Sequence, residues 1–155
     1  MSPTKVKVAI SMTIGDLSKM VKKYYPNQLD LMMDLGVGAL WEYHVRSPTL
    51  EDDERIVFYL KKVDGERLEL SMGNALETPD LILYFTDQAI KELISSSPNA
   101  KTYYENYSKI MKEGSGTRDL DYKVNKSWTN LVKLGYKNWA SRYGFVDQIG
   151  APKTK

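Results

Sequence analysis

The sequence predicts an α+β fold: a curved, mainly antiparallel five-stranded sheet with helices packed on one face. Three observations carry that expectation. Apolar residues recur at helical spacing on both flanks of the chain, a run of period-two segments lies between residues 39 and 86, and a strand-like DLDYKVN precedes a final amphipathic stretch. Helices, strands, one or two helices, a last strand and a terminal helix together describe helices segregated to one side of a sheet.

Taken in order, Val6, Val8, Ile10 and Met12 alternate with Lys5, Lys7, Ala9 and Ser11, the period of a half-buried strand. From Thr13 to Tyr25 the pattern turns helical, with Ile14, Leu17, Met20, Val21 and Tyr24 on one side, and Pro26 ends it. A second helix is expected from Asn27 to about Leu35, presenting Leu29, Met32, Met33 and Leu35 and stopping at Gly36 and Gly38. In ALWEYHVRS, Trp41, Tyr43 and Val45 face one way and Glu42, His44 and Arg46 the other, which predicts an antiparallel strand with one wet side. Beyond the acidic turn SPTLEDDE, RIVFYLKKV and RLELSM flank Asp64–Gly65, a hairpin dipeptide in which glycine accepts positive φ. DLILYFT is apolar on both faces and belongs inside the sheet.

Thr86 or Asp87 then caps a helix that buries Ala89, Ile90, Leu93 and Ile94, and Ser95 to Pro98 breaks it. A tyrosine-rich helix runs from about Asn99 to Glu113 and stops at Gly114–Ser115–Gly116. From Lys126 to Phe145, the residues Trp128, Leu131, Val132, Gly135, Tyr136, Trp139 and Tyr143 recur at spacings of three and four, which places most of them on one broad helical stripe. That stripe must be covered by the sheet, by a bound apolar molecule or by a second subunit.

A chain of 155 residues is expected to form one domain, with 1–12 as an extension and 146–155 as a tail, both loosely ordered. Its 22 basic and 20 acidic residues are interleaved, so a net charge of +2 suggests no nucleic-acid partner. The absence of cysteine excludes disulfides, thiolate nucleophiles and cysteine-ligated metal sites, and it fits a cytoplasmic protein. The N-terminus does not read as a secretory signal, and no apolar run approaches the roughly 20 residues that span a bilayer. Transient membrane contact remains compatible with the terminal stripe, but its aromatics suit a core better.

No motif announces catalysis. His44 is the one histidine, on the polar side of its strand and without a serine or cysteine nucleophile motif, so a surface role is expected. The Glu51, Asp52, Asp53, Glu54 cluster lacks the spaced ligands and central glycine of a calcium loop, and neither glycine pair opens a helix with Lys-Ser or Lys-Thr as a phosphate loop does.

The stretches LDLMMDLGVGALWEYHV, VDGERLELSMGNALETPDLILYFTDQAIKEL and RDLDYKVNKSWTNLVKLG resemble, in order and apolar pattern, the sterol carrier protein-2 family of lipid-binding domains over about residues 26 to 140. Two features differ. The late strand lacks the family's glycine-bracketed "GKLKIKGD" phrase, and the helix from Asn99 to Glu113 lengthens the segment before it. The resemblance implies a hydrophobic cavity between sheet and helices that takes a fatty acyl chain, a sterol or a similar lipid, without cofactor, metal or covalent chemistry. Facing then nominates Met32, Leu35, Leu93, Ile94, Tyr104, Tyr107, Met111, Leu131 and Leu134 as lining residues. Two rival readings stand beside it. One is an interaction or homodimerisation module with a self-filled core, anchored by Trp128, Trp139 and Tyr143. The other is an enzyme, which requires His44 to converge in a cleft with an acid such as Glu42 or Glu69.

Overall fold

The structure, a computed structural model, describes residues 14–145. Strands β1 (Leu40–Arg46), β2 (Glu54–Asp64), β3 (Arg67–Met72), β4 (Leu81–Thr86) and β5 (Leu120–Val124) form one sheet in the order β3-β2-β1-β4-β5. All neighbours are antiparallel except β1 and β4, which run parallel because the whole β2–β3 hairpin lies between them in the chain. Helices α1 (Ile14–Tyr24), α2 (Asp87–Ser96), α3 (Ala100–Glu113), α4 (Trp128–Lys133) and α5 (Tyr136–Tyr143) complete the α+β architecture that the element order predicts. β4 is an inner strand, as its two apolar faces require.

The core lies between the helices and the sheet face that carries Trp41, Tyr43, Phe58, Leu60, Leu83 and Phe85. Tyr43 and Phe58 are register partners, and their rings stack at 4.5 Å. Each such side chain contributes about 1.5–3 kcal/mol on full burial. Caps fix the helices against this layer. The Thr86 hydroxyl accepts from the Ala89 N–H at 3.2 Å, and Asn99 and Thr102 form a reciprocal capping box at the start of α3.

The β2–β3 turn falls where it is expected, but for another reason. Gly65 does not adopt positive φ. Instead the Asp64 carboxylate accepts from the Glu66 N–H at 2.8 Å, and a register slip between Lys62 and Asp64 absorbs the extra residue.

Three expectations are corrected. Asn27 to Leu35 is not an α-helix but part of two short 3₁₀ turns, Tyr25–Asn27 and Leu29–Met32. Pro26 sits inside the first, and the buried Lys62 ammonium donates to the Met32 and Leu35 carbonyls at 3.0 and 2.7 Å, ending the second. β1 has no wet side: Glu42 and His44 are only 6% and 9% exposed. The terminal stripe is two helices, α4 and α5, because Gly135 takes φ +94° and packs so closely that a Cβ there would run into the Asp34 carbonyl. The Gly36 N–H donates to the Leu134 carbonyl at 2.7 Å beside that break. The strand expected over Val6 to Met12 lies outside the described residues.

Candidate functional site

A cavity of about 40 Å³ lies between α3, α5 and the sheet. Strand register builds its floor. Trp41 of β1 pairs with Leu81 of β4, and Leu83 of β4 pairs with Tyr122 of β5, so all four point to the helix side of neighbouring strands. Helix α3 supplies Tyr103, Tyr104, Tyr107 and Met111, which share one face by their spacing, and Trp139 and Phe145 close the remaining side.

The polar atoms of Trp41, Tyr103, Tyr104 and Trp139 are bonded away from the cavity. The Tyr104 hydroxyl donates to the Leu31 carbonyl at 2.7 Å and accepts from Trp139 Nε1 at 3.0 Å. Tyr103 shares a 2.8 Å hydrogen bond with Tyr25. Trp41 Nε1 donates to the Tyr136 hydroxyl at 2.7 Å, which donates in turn to Asp80 Oδ2 at 2.7 Å. Asp80, fully buried, also accepts from the Leu40 N–H at 3.0 Å and faces Lys126 Nζ at 2.6 Å. One carboxylate thus ties β1, the start of β4, the segment after β5 and α5 together, and so holds α5 over the cavity. Burial pushes the Tyr103 and Tyr104 hydroxyls well above the ordinary tyrosine range, and burial with the Asp80 charge does the same to Tyr136.

Of the nine nominated residues, Tyr104, Tyr107 and Met111 stand in the cavity wall. Met32, Leu35, Leu93 and Leu131 are buried in the same hydrophobic layer, and Ile94 and Leu134 are half-buried against it, but none of these six borders the cavity. Trp41, Leu81, Leu83, Tyr103, Tyr122, Trp139 and Phe145 border it without having been nominated.

Outside the cavity, between α3 and α5, a groove of about 620 Å³ is bordered by Lys101, Tyr104, Glu105, Ser108, Arg142 and Tyr143. Tyr104 borders both spaces, and its ring lies 4.0 Å from that of Tyr143. Arg142 is committed to a two-bond pair with Asp34, at 2.7 and 3.0 Å.

The opposite face of β1 carries a second cluster. His44 is not a surface residue: Nε2 lies 2.7 Å from Glu42 and Nδ1 2.6 Å from Glu54, which also pairs with Arg46 at 3.3 Å. Burial pushes the Glu42 carboxyl up, but the bonds from His44 and the Ala75 N–H outweigh it and hold the group below its ordinary value; Glu54 is held down in the same way by His44 and Arg46. His44 and Glu42 therefore converge, but both ring nitrogens are occupied, and neither residue borders a cavity described above. Glu69 lies apart, on an outer groove of about 220 Å³ with Tyr59, Lys61 and Leu76. Among the described residues no three His, Asp or Glu side chains are placed to hold a metal ion, and no helix is long and apolar enough to cross a membrane.

Compared with known proteins, the chain matches no family model and no curated protein. Among solved structures it is similar to a UbiJ-SCP2 ubiquinone synthesis protein at 10% identity and a TM-score of 0.45, over 91% of this chain and 99% of that one. It is similar to sterol carrier protein domain 2 of Helicoverpa armigera at 15% identity and a TM-score of 0.43, over 92% and 89% of the two chains. The apo form of sterol carrier protein 2 from Yarrowia lipolytica aligns at 14% identity and a TM-score of 0.36, over 77% and 84%. These are domains of the family that the order of elements resembles.

Proposed function

We propose that this chain binds an apolar molecule between α3, α5 and the sheet and performs no covalent chemistry. The observation that carries the reading is the cavity wall. Six of its ten bordering side chains come from the helix side, five aromatics and Met111, and four come from the sheet, but what they turn inward is apolar. At about 40 Å³ the cavity holds only two or three water-sized groups. A ligand of acyl length therefore needs the wall to part. Parting it at Trp139 and Phe145 means opening the Trp139–Tyr104 hydrogen bond while the Tyr136–Asp80 tie keeps the start of α5 in place. Each methylene taken from water then contributes about 0.8 kcal/mol, enough for a chain of ordinary lipid length to bind with few polar contacts.

A second reading is favoured by that same volume. Ligand pockets commonly measure roughly 300–1,000 Å³, so a 40 Å³ space also fits a core filled by its own side chains, with the chain acting as an interaction or dimerisation module. Native mass spectrometry of the purified protein, followed by solvent extraction, separates the two. A retained lipid near one per chain, or uptake of one from a panel of fatty alcohols, fatty acids and sterols, supports the binding reading. A ligand-free mass with no uptake, above all at twice the chain mass, supports the module.

A further inference from the structure

The helix-facing side of β1 contains one polar group that the fold does not use. Tyr43 is fully buried at the middle of the sheet, yet among the described residues its hydroxyl has no hydrogen-bond partner. The other polar atoms of this layer set the contrast. The hydroxyls of Tyr25, Tyr103, Tyr104 and Tyr136 and the indole nitrogens of Trp41 and Trp139 are all bonded. A buried hydroxyl without a partner costs about 1–3 kcal/mol, and phenylalanine would fill the same space without that cost.

Tyr43 does not itself border the cavity, but its neighbours on the sheet do. Tyr43 is the register partner of Leu83 and lies two residues along the same strand face from Trp41, and both of these form the floor. Tyrosines surround its hydroxyl: Tyr25, Tyr103, Tyr104, Tyr107 and Tyr136, three of which stand in the cavity wall. Lys62, the buried cation on this side of the sheet, is committed to the Met32 and Leu35 carbonyls. Burial pushes the Tyr43 hydroxyl well above the ordinary tyrosine range, which marks a place where negative charge is disfavoured.

We propose that Tyr43 is the specificity-determining residue of the site: the bound molecule carries one uncharged oxygen function, a hydroxyl or carbonyl, at its leading end, and that oxygen pairs with the Tyr43 hydroxyl. This rests on the apolar-binding reading above. A carboxylate entering head-first would lose its hydration and meet no compensating cation, so the site selects a neutral head over an ionised one.

The test uses decanol, decane and decanoate, with occupancy read from the fluorescence of Trp41 and Trp139 in wild-type protein and in Tyr43→Phe. Wild type is expected to bind decanol at least about tenfold more tightly than decanoate at neutral pH. Tyr43→Phe is expected to weaken decanol about fivefold while leaving decane unchanged, and without ligand to be at least as stable to heat as wild type. Equal decanol affinity in the two proteins overturns the role of Tyr43 while leaving apolar binding intact. A ligand-free Tyr43→Phe protein clearly less stable than wild type also overturns it, because the hydroxyl is then already paired internally. Binding of none of the three probes overturns the apolar-binding reading itself.

Discussion

Both faces of the sheet are buried at β1, but different chemistry closes them. Toward the helices, Trp41 and Tyr43 join a layer of aromatic carbon that contains a small void and one unpartnered hydroxyl. Away from them, Glu42 and His44 are paired into a chain of hydrogen bonds that runs through Glu54 to Arg46. The polar face is complete, since each named group has a partner. The apolar face is the unfinished one, and the proposed site for an apolar molecule rests on that difference.

The largest expected effect comes from breaking the aromatic side. Trp139→Ala removes a ring packed on Trp41, Tyr104, Tyr136 and Phe145, and should destabilise the chain by about 3–5 kcal/mol in urea unfolding. On the other face, His44→Ala removes the imidazole that bonds both Glu42 and Glu54, leaving buried Glu42 the Ala75 N–H. A loss of about 1–3 kcal/mol is expected, and the fluorescence response to decanol should be kept. If His44→Ala abolished that response, the two faces would be one functional unit.

Acid should act on the polar face of β1. Glu42 and Glu54 are held below the ordinary glutamate value of 4.5 in the folded chain. Between their folded values and 4.5 the unfolded chain binds more protons, so this stabilisation is complete above 4.5 and is lost as the pH falls through the folded values. Glu42→Gln should flatten that acidic limb in a series of melts against pH, whereas Tyr43→Phe should leave its slope unchanged. The smallest effect belongs to the exposed Lys61–Glu77 pair at the sheet's outer groove. Lys61→Ala should leave the melting temperature within error of wild type.

Much of this was legible in the sequence, for identifiable reasons. Alternation showed which β1 residues share a face, and the cap at Thr86 and the break ending at Pro98 marked two helix starts to within a residue. Alternation does not show whether a face is covered. Glu42 and His44 were therefore placed in water, although acids at Glu42 and Glu54 on either side of a lone histidine were there to be read. Spacings of three and four continued across Gly135, which hid the break between α4 and α5; the signal was the glycine itself.

For the site, helical spacing singled out Tyr104, Tyr107 and Met111 of α3 but not Tyr103 on the same wall. The sheet half was not legible. Whether Leu83 or Leu93 meets the cavity depends on the β1–β4–β5 register and the seating of α2, and neither is encoded in local pattern. Met32, Leu35 and Leu131 read correctly as buried side chains, but periodicity cannot say what they are buried against.

The central claim is that an apolar molecule occupies the cavity that Trp41 and Trp139 both border. Quenching of tryptophan fluorescence by decanol brominated near its tail tests it directly, because bromine quenches only on near contact. The account predicts saturable quenching that persists in Trp128→Phe and disappears when Trp41 and Trp139 are both replaced by phenylalanine. Binding without quenching, or quenching that survives loss of both residues, would contradict it.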